Sequence, residues 1–421
     1  MNHQFELPGS YKKWTWGLIV AGLLALVYGL VMFHPFAPVA HEGEHGAFSS
    51  STRFWAVLLQ NSVYWLLVVN ASMFFICVTT MAMGGWQVAL RRVPEAISSV
   101  VPILGIITFL VLMAIIWGGR TDIYHWLDKS AVAHDKILNG KSGFLNAKFY
   151  TIWSAICIIM WWLLGRKMRS LSLDTDKSGP MDHETSKRWI WKNTVWASLY
   201  TVFFGLSVAS TAPWLWLMSI DPHWYSTMYS WYTFASSFVA GMSLIALFVI
   251  FLKNRGQLEY VTEEHLHDVG KFMFAFSVFW TYLWFSQYML IWYSNQPEET
   301  KYFIQRIGTA GQPGPYKGIF FFNLIVNFLC PLLILMKRGV KRNWTMVTVM
   351  AVLIIFGHWI DFYQMVMPGT VKEHAEMMPF EFGIAALFIG LIMWGAGRYF
   401  TKNALVAKNH PFLKESIIHH T

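Results

Sequence analysis

The sequence predicts an all-α polytopic membrane protein with about ten transmembrane helices. Of its 421 residues, 55% are hydrophobic and only 13% are charged, which differs strongly from the balance of a soluble domain. A transmembrane helix needs about 20 mostly apolar residues, and ten stretches approach or exceed that length. The predicted spans are 14–34, 58–83, 97–117, 149–165, 194–217, 229–252, 272–293, 318–336, 344–363 and 381–400. Tryptophan and tyrosine cluster at the ends of these spans, as expected at the membrane surface.

The distribution of lysine and arginine predicts cytoplasmic termini. With ten spans, both tails share one side of the membrane with the loops at 84–96, 166–193, 253–271 and 337–343. That side carries 22 of the 32 basic residues, and the opposite side carries 10. Since basic loops stay in the cytoplasm, this asymmetry sets the orientation. The formal charge of +9 therefore reflects orientation, and no basic stretch has the aromatic interleaving of a nucleic-acid-binding surface.

An internal similarity predicts how the spans are grouped within a single membrane domain over 1–421. Three short segments recur in the same order: Ile115-Ile-Trp117 and Leu290-Ile-Trp292, Phe144-Leu-Asn146 and Phe321-Phe-Asn323, Phe203-Phe-Gly205 and Ile355-Phe-Gly357. They predict two four-helix units near 58–217 and 229–363, with helices 14–34 and 381–400 outside them. The alternative is chance similarity between apolar, aromatic-rich segments.

The three cysteines indicate that the chain carries no covalently bound redox centre. Cys77, Cys157 and Cys330 are isolated in separate spans. The sequence therefore lacks a CxxC pair, a CxxCH haem attachment and iron–sulfur spacing.

The ninth span contains the most informative polar residues, in the segment Phe356-Gly-His358-Trp-Ile-Asp361-Phe-Tyr363. An ionisable group in hydrocarbon costs about 3 kcal/mol on insertion scales, so its presence points to function. His358 and Asp361 are three residues apart and therefore share one helical face. At 1.5 Å per residue, His358 lies about 22 Å along the helix axis from the predicted cytoplasmic start of the span. We expect proton handling here, with Tyr363 nearby and Glu381 at the same depth on span 10. The alternative is an interfacial Asp361 that reaches water.

A second polar group precedes span 7 and contains Glu264, His265, His267 and Asp268. Acidic residues favour a helix N-terminus, which offers a structural explanation. Histidine titrates near physiological pH, so a second explanation is that this group collects protons at the cytoplasmic face. Hydroxyl and amide side chains continue along span 7: Ser277, Tyr282, Ser286, Gln287 and Tyr288. They are candidates for a water chain or for hydrogen bonds between helices.

Three outer segments receive other predictions. Asp221-Pro-His223 predicts a turn in which Asp221 caps span 6. The histidines of His41-Glu-Gly-Glu-His45 suggest a metal by residue type, but the glycine-centred setting favours a solvated loop. The segment from Tyr124-His125-Trp126 to Asp135-Lys136 is expected to contact a partner.

Three further segments carry a resemblance to a known family: Leu217-Met-Ser-Ile-Asp-Pro-His-Trp-Tyr-Ser-Thr-Met228, His265-Leu-His-Asp-Val-Gly-Lys-Phe-Met-Phe-Ala-Phe276 and Leu290-Ile-Trp-Tyr-Ser-Asn-Gln-Pro-Glu-Glu-Thr300. In them, and over nearly all ten spans, the chain resembles the NrfD/PsrC-like membrane subunits, in particular the ActF-type subunit of bacterial alternative complex III. The resemblance implies two four-helix bundles and a place in a quinol:electron-acceptor oxidoreductase of the bacterial inner membrane. It further implies a homologous NrfD-like neighbour and periplasmic iron–sulfur and multihaem cytochrome c subunits. In that family, quinol oxidation is tied most firmly to the sister subunit.

Together these observations give a functional hypothesis and two alternatives. The hypothesis is a respiratory subunit without its own redox centre, which supports quinol binding or transmembrane proton movement among lipids. Protons would enter at Glu264, His265, His267 and Asp268, follow span 7, and leave by His358, Asp361 and Glu381. The alternatives are a stand-alone secondary transporter and a purely structural scaffold. Transport is disfavoured because Pro331 is the main mid-span breaker, without a match in the other half.

Overall fold

A computed structural model describes residues 5–37, 50–309 and 311–420. The described residues contain helices and no β-strand, apart from an isolated bridge between Gly308 and Pro313. The predicted all-α class is therefore confirmed. The loop His41–His45, for which a solvated conformation is predicted, lies outside the described residues.

Ten long helices occur in the described part of the chain. They are α1 (Gly9–Met32), α2 (Ser50–Met81), α3 (Arg92–Trp117), α4 (Ala147–Ser178), α5 (His183–Ile220), α6 (Met228–Lys253), α7 (Glu263–Ser294), α8 (Lys317–Leu335), α9 (Trp344–Thr370) and α10 (Pro379–Lys402). Shorter helices occupy the connections and the C-terminal tail: Gly85–Ala89, His125–Leu127, Lys129–His134, Lys136–Lys141, Pro297–Ile307, Arg338–Lys341 and Leu413–Ile417.

Nine of these ten helices are long and apolar enough to cross a membrane, so the protein is a multi-pass membrane protein. The exception is α7, whose hydropathy is lowered by its aromatic, hydroxyl and charged residues. Its position nevertheless matches that of α9. Glu264 near its start lies 2.5 Å from Arg342, just before α9, and Gln287 near its end lines a cavity with Gln364 of α9. The helix α7 therefore covers the same depth as its neighbours.

The helices pack in two groups around a shared centre. Within α2–α5, α2 contacts α3 and α5, while α4 joins α3 to α5. Within α6–α9, α6 contacts α7 and α9, while α8 joins α7 to α9. The central helices α2 and α6 contact each other and are mostly buried, whereas α1 pairs with α10 on the outside. The predicted four-helix units thus consist of helices that contact one another, with α1 and α10 flanking them.

Two of the helices contain a single π-helical turn, and each turn precedes a proline. The turn Ser207–Thr211 in α5 lies before Pro213, and the turn Ile325–Leu329 in α8 lies before Pro331. Proline has no N–H group, and its ring collides with the carbonyl four residues earlier, so the local helix widens. Span 5 therefore has an interruption of its own. The two interrupted helices are not counterparts in the predicted repeat, where span 4 matches span 8.

Candidate functional site

Asp361 lies inside the α6–α9 group, fully buried, and four side chains donate hydrogen bonds to its carboxylate. Ser236 of α6, Trp280 of α7 and Asn323 of α8 each donate at 2.9 Å. Tyr232 of α6 donates to the same oxygen as Asn323. Every other helix of the group therefore supplies at least one donor. An ionised carboxylate accepts about four hydrogen bonds and donates none, which matches this arrangement.

The position of Asn323 depends on close contact between α8 and α9. Asn327 donates to the Asn323 side-chain oxygen at 2.6 Å, which turns the Asn323 amide nitrogen toward Asp361. Gly357 permits this contact, because a Cβ atom there would lie only 2.1 Å from the Asn327 side-chain oxygen. Asn327 itself belongs to the π turn that Pro331 induces. A glycine in α9 and a proline in α8 thus shape the site without touching Asp361.

His358 is the second titratable residue of the site and is fully buried. Its Nδ1 lies 2.9 Å from the Ser236 hydroxyl and 3.8 Å from Asp361. The Ser236 hydroxyl has one proton, which it donates to Asp361, so it accepts from His358 Nδ1–H. The neutral imidazole then carries its lone pair on Nε2. Among the described residues, this nitrogen has no hydrogen-bond partner, and it is the atom of the site free to take a proton.

A cavity of about 20 Å³ adjoins Asp361 on the side toward the C-terminal ends of α7 and α9. Polar side chains from four helices meet there: Tyr232, Gln287, Tyr302, Arg306 and Gln364. The volume suffices for one water molecule. It is far below the roughly 300 Å³ or more of pockets that bind small organic ligands.

The predicted partners of His358 on the outer side lie elsewhere. Glu381 forms a buried ion pair with Arg53 of α2, with 2.7 Å between Nη2 and Oε1. Its other oxygen accepts from the Met378 amide at the start of α10. Tyr363 donates to the Ala375 carbonyl at 3.0 Å. The structure therefore brings His358 and Asp361 together and places Glu381 and Tyr363 in a separate contact with α2 and the loop before α10.

The residues predicted to collect protons, called the inner group below, lie together at the N-terminal end of α7. Asp268 lies 2.5 Å from Lys271 and 2.6 Å from His419 of the C-terminal tail. Glu264 pairs with Arg342, as described above. His267 Nδ1 lies 3.9 Å from Asp268. Burial lowers the pKa of His267, which precedes the apolar part of α7.

His265 has a structural task in this group. Its Nδ1 accepts from the Thr262 amide at 3.1 Å and completes a capping box with Thr262. Its Nε2 lies 3.3 Å from Ser416 of the tail. Burial, with a contribution from His419, lowers the pKa of His265 to about 4. The side chain is therefore neutral at physiological pH, which argues against proton collection by this residue.

The C-terminal tail covers this inner group. Asn409 donates to the Thr175 carbonyl at the end of α4, and Ser416 donates to the Trp86 carbonyl. His419 then reaches Asp268, which is only 4% exposed. About 18 Å along α7 separates Asp268 from Trp280, the α7 residue bound to Asp361. The inner group and the Asp361 site are thus distinct places on one helix.

The side chains proposed to line span 7 divide between the interior and the lipid-facing side. Ser277 and Gln287 are buried, whereas Tyr282 is 61% exposed and points away from any interior path. Tyr288 packs against Phe303 with 5.0 Å between the ring centroids. Ser277 is therefore the hydroxyl on α7 between the inner group and Trp280 that faces the interior.

The prediction for the segment at Asp221 is confirmed in part. The turn at Asp221 is present, with the Trp224 amide bonded to the Asp221 carbonyl. The predicted cap is wrong, because α6 begins at Met228 after Thr227 and no side chain caps it. Tyr124, at the start of the segment predicted to contact a partner, is buried and donates to the Trp216 carbonyl at 2.6 Å, whereas Lys129, Ser130 and Lys136 of that segment are exposed.

Comparison with models of known protein families found no match, and comparison with curated protein sequences found none either. Among the described residues, no group of three or more His, Cys, Asp or Glu side chains is arranged to hold a metal ion. The geometry around Asp361 is therefore the basis for a functional conclusion.

Proposed function

We propose that this protein is a membrane subunit of a bacterial respiratory quinol-oxidising complex and that it moves protons through His358 and Asp361. The observation that carries the proposal is the free Nε2 of His358 beside a carboxylate that four donors hold in place. A proton that binds Nε2 forms a cation 3.8 Å from Asp361, where the two charges compensate each other. The resemblance to NrfD/PsrC-like subunits supplies the respiratory context.

The size of the site favours proton transfer over quinol binding at Asp361. A quinol headgroup needs a pocket many times larger than the cavity of about 20 Å³ beside this residue. A larger apolar cleft of about 520 Å³ lies between α10 and the α6–α9 pair, on the side of Trp359. It suits a hydrocarbon chain, such as a lipid or the tail of a quinol, and lacks the acid–base groups of the Asp361 site.

The same comparison weakens the transporter alternative. A secondary transporter binds its substrate near the membrane midplane, between two structurally repeated halves. The polar cavity at Asp361 admits only a water-sized group. A proton, passed between side chains and water, is the cargo that fits this space.

Purification in mild detergent tests the respiratory assignment. We expect the chain to copurify with a homologous membrane subunit and with iron–sulfur and multihaem cytochrome c subunits, so the assembly shows haem bands. The isolated chain should show no visible-region cofactor absorption, because its three cysteines are isolated. A haem or iron–sulfur spectrum retained by the isolated chain, or purification without redox partners, would contradict the assignment.

A further inference from the structure

Arg306 is a buried cation on the outer side of the Asp361 site. It lies near the end of the short helix Pro297–Ile307 and is 2% exposed. Its guanidinium donates to the Tyr302 carbonyl and twice to the Gln364 carbonyl, and its carbon lies 3.4 Å from the centre of the Tyr302 ring. No carboxylate of the described residues lies within 4 Å of it. The short helix Pro297–Ile307 thus holds a permanent positive charge close to the membrane-embedded site.

Arg306 and Asp361 both line the cavity described above. A guanidinium has five N–H groups, and the three bonds to carbonyls leave two unused. Gln287 lines the same cavity, and among the described residues its side-chain oxygen has no partner although the residue is 6% exposed. The cavity therefore offers unused donors, an unused acceptor and a carboxylate around a space of about 20 Å³.

We propose that one water molecule occupies this cavity and that Arg306 drives the proton out of the His358–Asp361 pair through it. The water accepts from Arg306 and donates to Gln287, which is within the range of about two to four hydrogen bonds of buried water, and its second lone pair accepts from Asp361 when this carboxyl group is protonated. This inference rests on the proposed function and adds the route and direction of release.

The release step conserves protons along an existing hydrogen-bonded chain. Protonated His358 gives its Nδ1 proton to the Ser236 oxygen, and Ser236 gives its own proton to Asp361. Asp361 then passes a proton to the water, and the water gives a proton to the solvent on the outer side. The pair returns to its starting charge with the His358 proton on Nε2, and a tautomer exchange restores Nδ1–H before the next proton binds. The guanidinium of Arg306 remains charged throughout and favours the ionised form of Asp361, which lines the same cavity. It therefore promotes release, and it is a positioning residue for the water.

Arg306→Gln tests this role in the assembled complex reconstituted into vesicles, with pH-sensitive dyes on both sides. During one turnover we expect proton release to the outer side to slow at least tenfold, with uptake from the inner side unchanged. Gln287→Leu removes the acceptor of the water and should slow release similarly. Arg306→Lys keeps the charge and should release protons within a few-fold of the unaltered complex.

Two further variants make the result decisive. Arg169→Gln changes another buried arginine, which binds Ser98 in the first group, and should leave both steps unchanged. Asp361→Asn should abolish proton movement. Wild-type release in Arg306→Gln and Gln287→Leu, with no movement in Asp361→Asn, would overturn the water route and leave the proposed function standing. Wild-type movement in Asp361→Asn would overturn both. If Arg306→Gln fails to assemble, Gln287→Leu decides the question, because only the water route predicts slower release in this variant.

Discussion

His358 and Asp361 lie one turn apart on α9, with 3.8 Å between Nδ1 and the nearer carboxylate oxygen, and the hydroxyl of Ser236 lies 2.9 Å from both atoms. A residue from a different helix thus completes the link between two residues of α9. This link fixes which imidazole nitrogen carries the proton. It also makes the pair dependent on the packing of α6 and α8 against α9.

Gly357→Ala should damage the site through packing alone. The added Cβ atom would meet Asn327 and Val326 of α8, at 2.1 and 2.6 Å. We expect α8 to shift and the hydrogen bond from Asn323 to Asp361 to be lost. The free energy of unfolding should fall by about 1–3 kcal/mol, and proton movement should become much slower. Thermal unfolding and proton release measure the two effects. Gly205→Ala is the matched control, because Gly205 occupies the corresponding position of the predicted repeat and has open space around it.

Glu381→Gln should destabilise the protein while leaving the Asp361 site intact. The side-chain oxygen of the glutamine can still accept from the Met378 backbone N–H, but the buried guanidinium of Arg53 loses its counter-charge. Breaking a buried pair in this way costs about 3–5 kcal/mol. We expect a lower unfolding midpoint, with a normal proton-to-electron ratio in the fraction that assembles. Glu373→Gln, an exposed change in the same loop, should have neither effect. A lower proton-to-electron ratio in a stably assembled Glu381→Gln complex would instead indicate that this carboxylate lies on the proton path.

Stability should fall on acidification because of His265. The unfolded chain binds this proton near pH 6.5, whereas the folded chain binds it near pH 4. Between these values the unfolded state holds more protons, so unfolding becomes easier as the pH falls. The contribution is on the order of 2–3 kcal/mol between pH 7 and pH 4. His265→Gln keeps an acceptor for the capping box, and chemical unfolding across this range should show a flatter pH dependence for the variant. Equal pH dependence in both proteins would exclude this explanation.

Membrane orientation is open to a direct test. Gly339 lies in the basic connection before α9, and Gly140 lies in the segment between α3 and α4. Both glycines are exposed, and a side chain at either position would meet open space. A cysteine at position 339 should react with an impermeant reagent only from the cytoplasm, and one at position 140 only from outside. Reaction of both from the same side would contradict the ten-span orientation.

Hydropathy predicted the existence of the helices better than their ends. The loop predicted at 166–193 is largely helical, because α4 continues to Ser178 and α5 begins at His183. Polar residues extend a helix into water without changing its apolar core, so a hydropathy pattern does not register them. The weak hydropathy of α7 has the opposite origin, since its polar side chains are distributed along the membrane-spanning part.

Only part of the Asp361 site was predictable from sequence. Spacing on one helix predicted the His358–Asp361 pair, which is local information. The donors Tyr232, Trp280 and Asn323 come from three other helices, and neither spacing nor composition specifies which side chains meet across a bundle. Glu381 illustrates the same limit, because its predicted depth matched that of Asp361 while packing directed it toward Arg53 of α2.

The sequence around Arg306 contains a pattern that predicts the burial of this residue. It lies in a short helix with two acidic residues in its first turn, which looks like an ordinary solvated segment. The amphipathic pattern of Pro297–Ile307 predicts one buried face, on which Tyr302, Phe303 and Arg306 lie. A charged residue on an otherwise aromatic, buried face indicates that the charge has specific partners in the protein interior.

Asp361→Asn in the assembled complex is the most direct test of the central claim. Asparagine keeps the size and polarity of the side chain but removes the titratable carboxylate. We predict normal assembly and a loss of proton movement or quinol turnover of about 10-fold or more, the lower range for a positioned acid–base group. Asp268→Asn should reduce proton uptake with less effect on quinol oxidation, and Asp174→Asn, an exposed change, should have no effect. Normal assembly of Asp361→Asn with unchanged turnover and an unchanged proton-to-electron ratio would contradict the account and favour a structural scaffold.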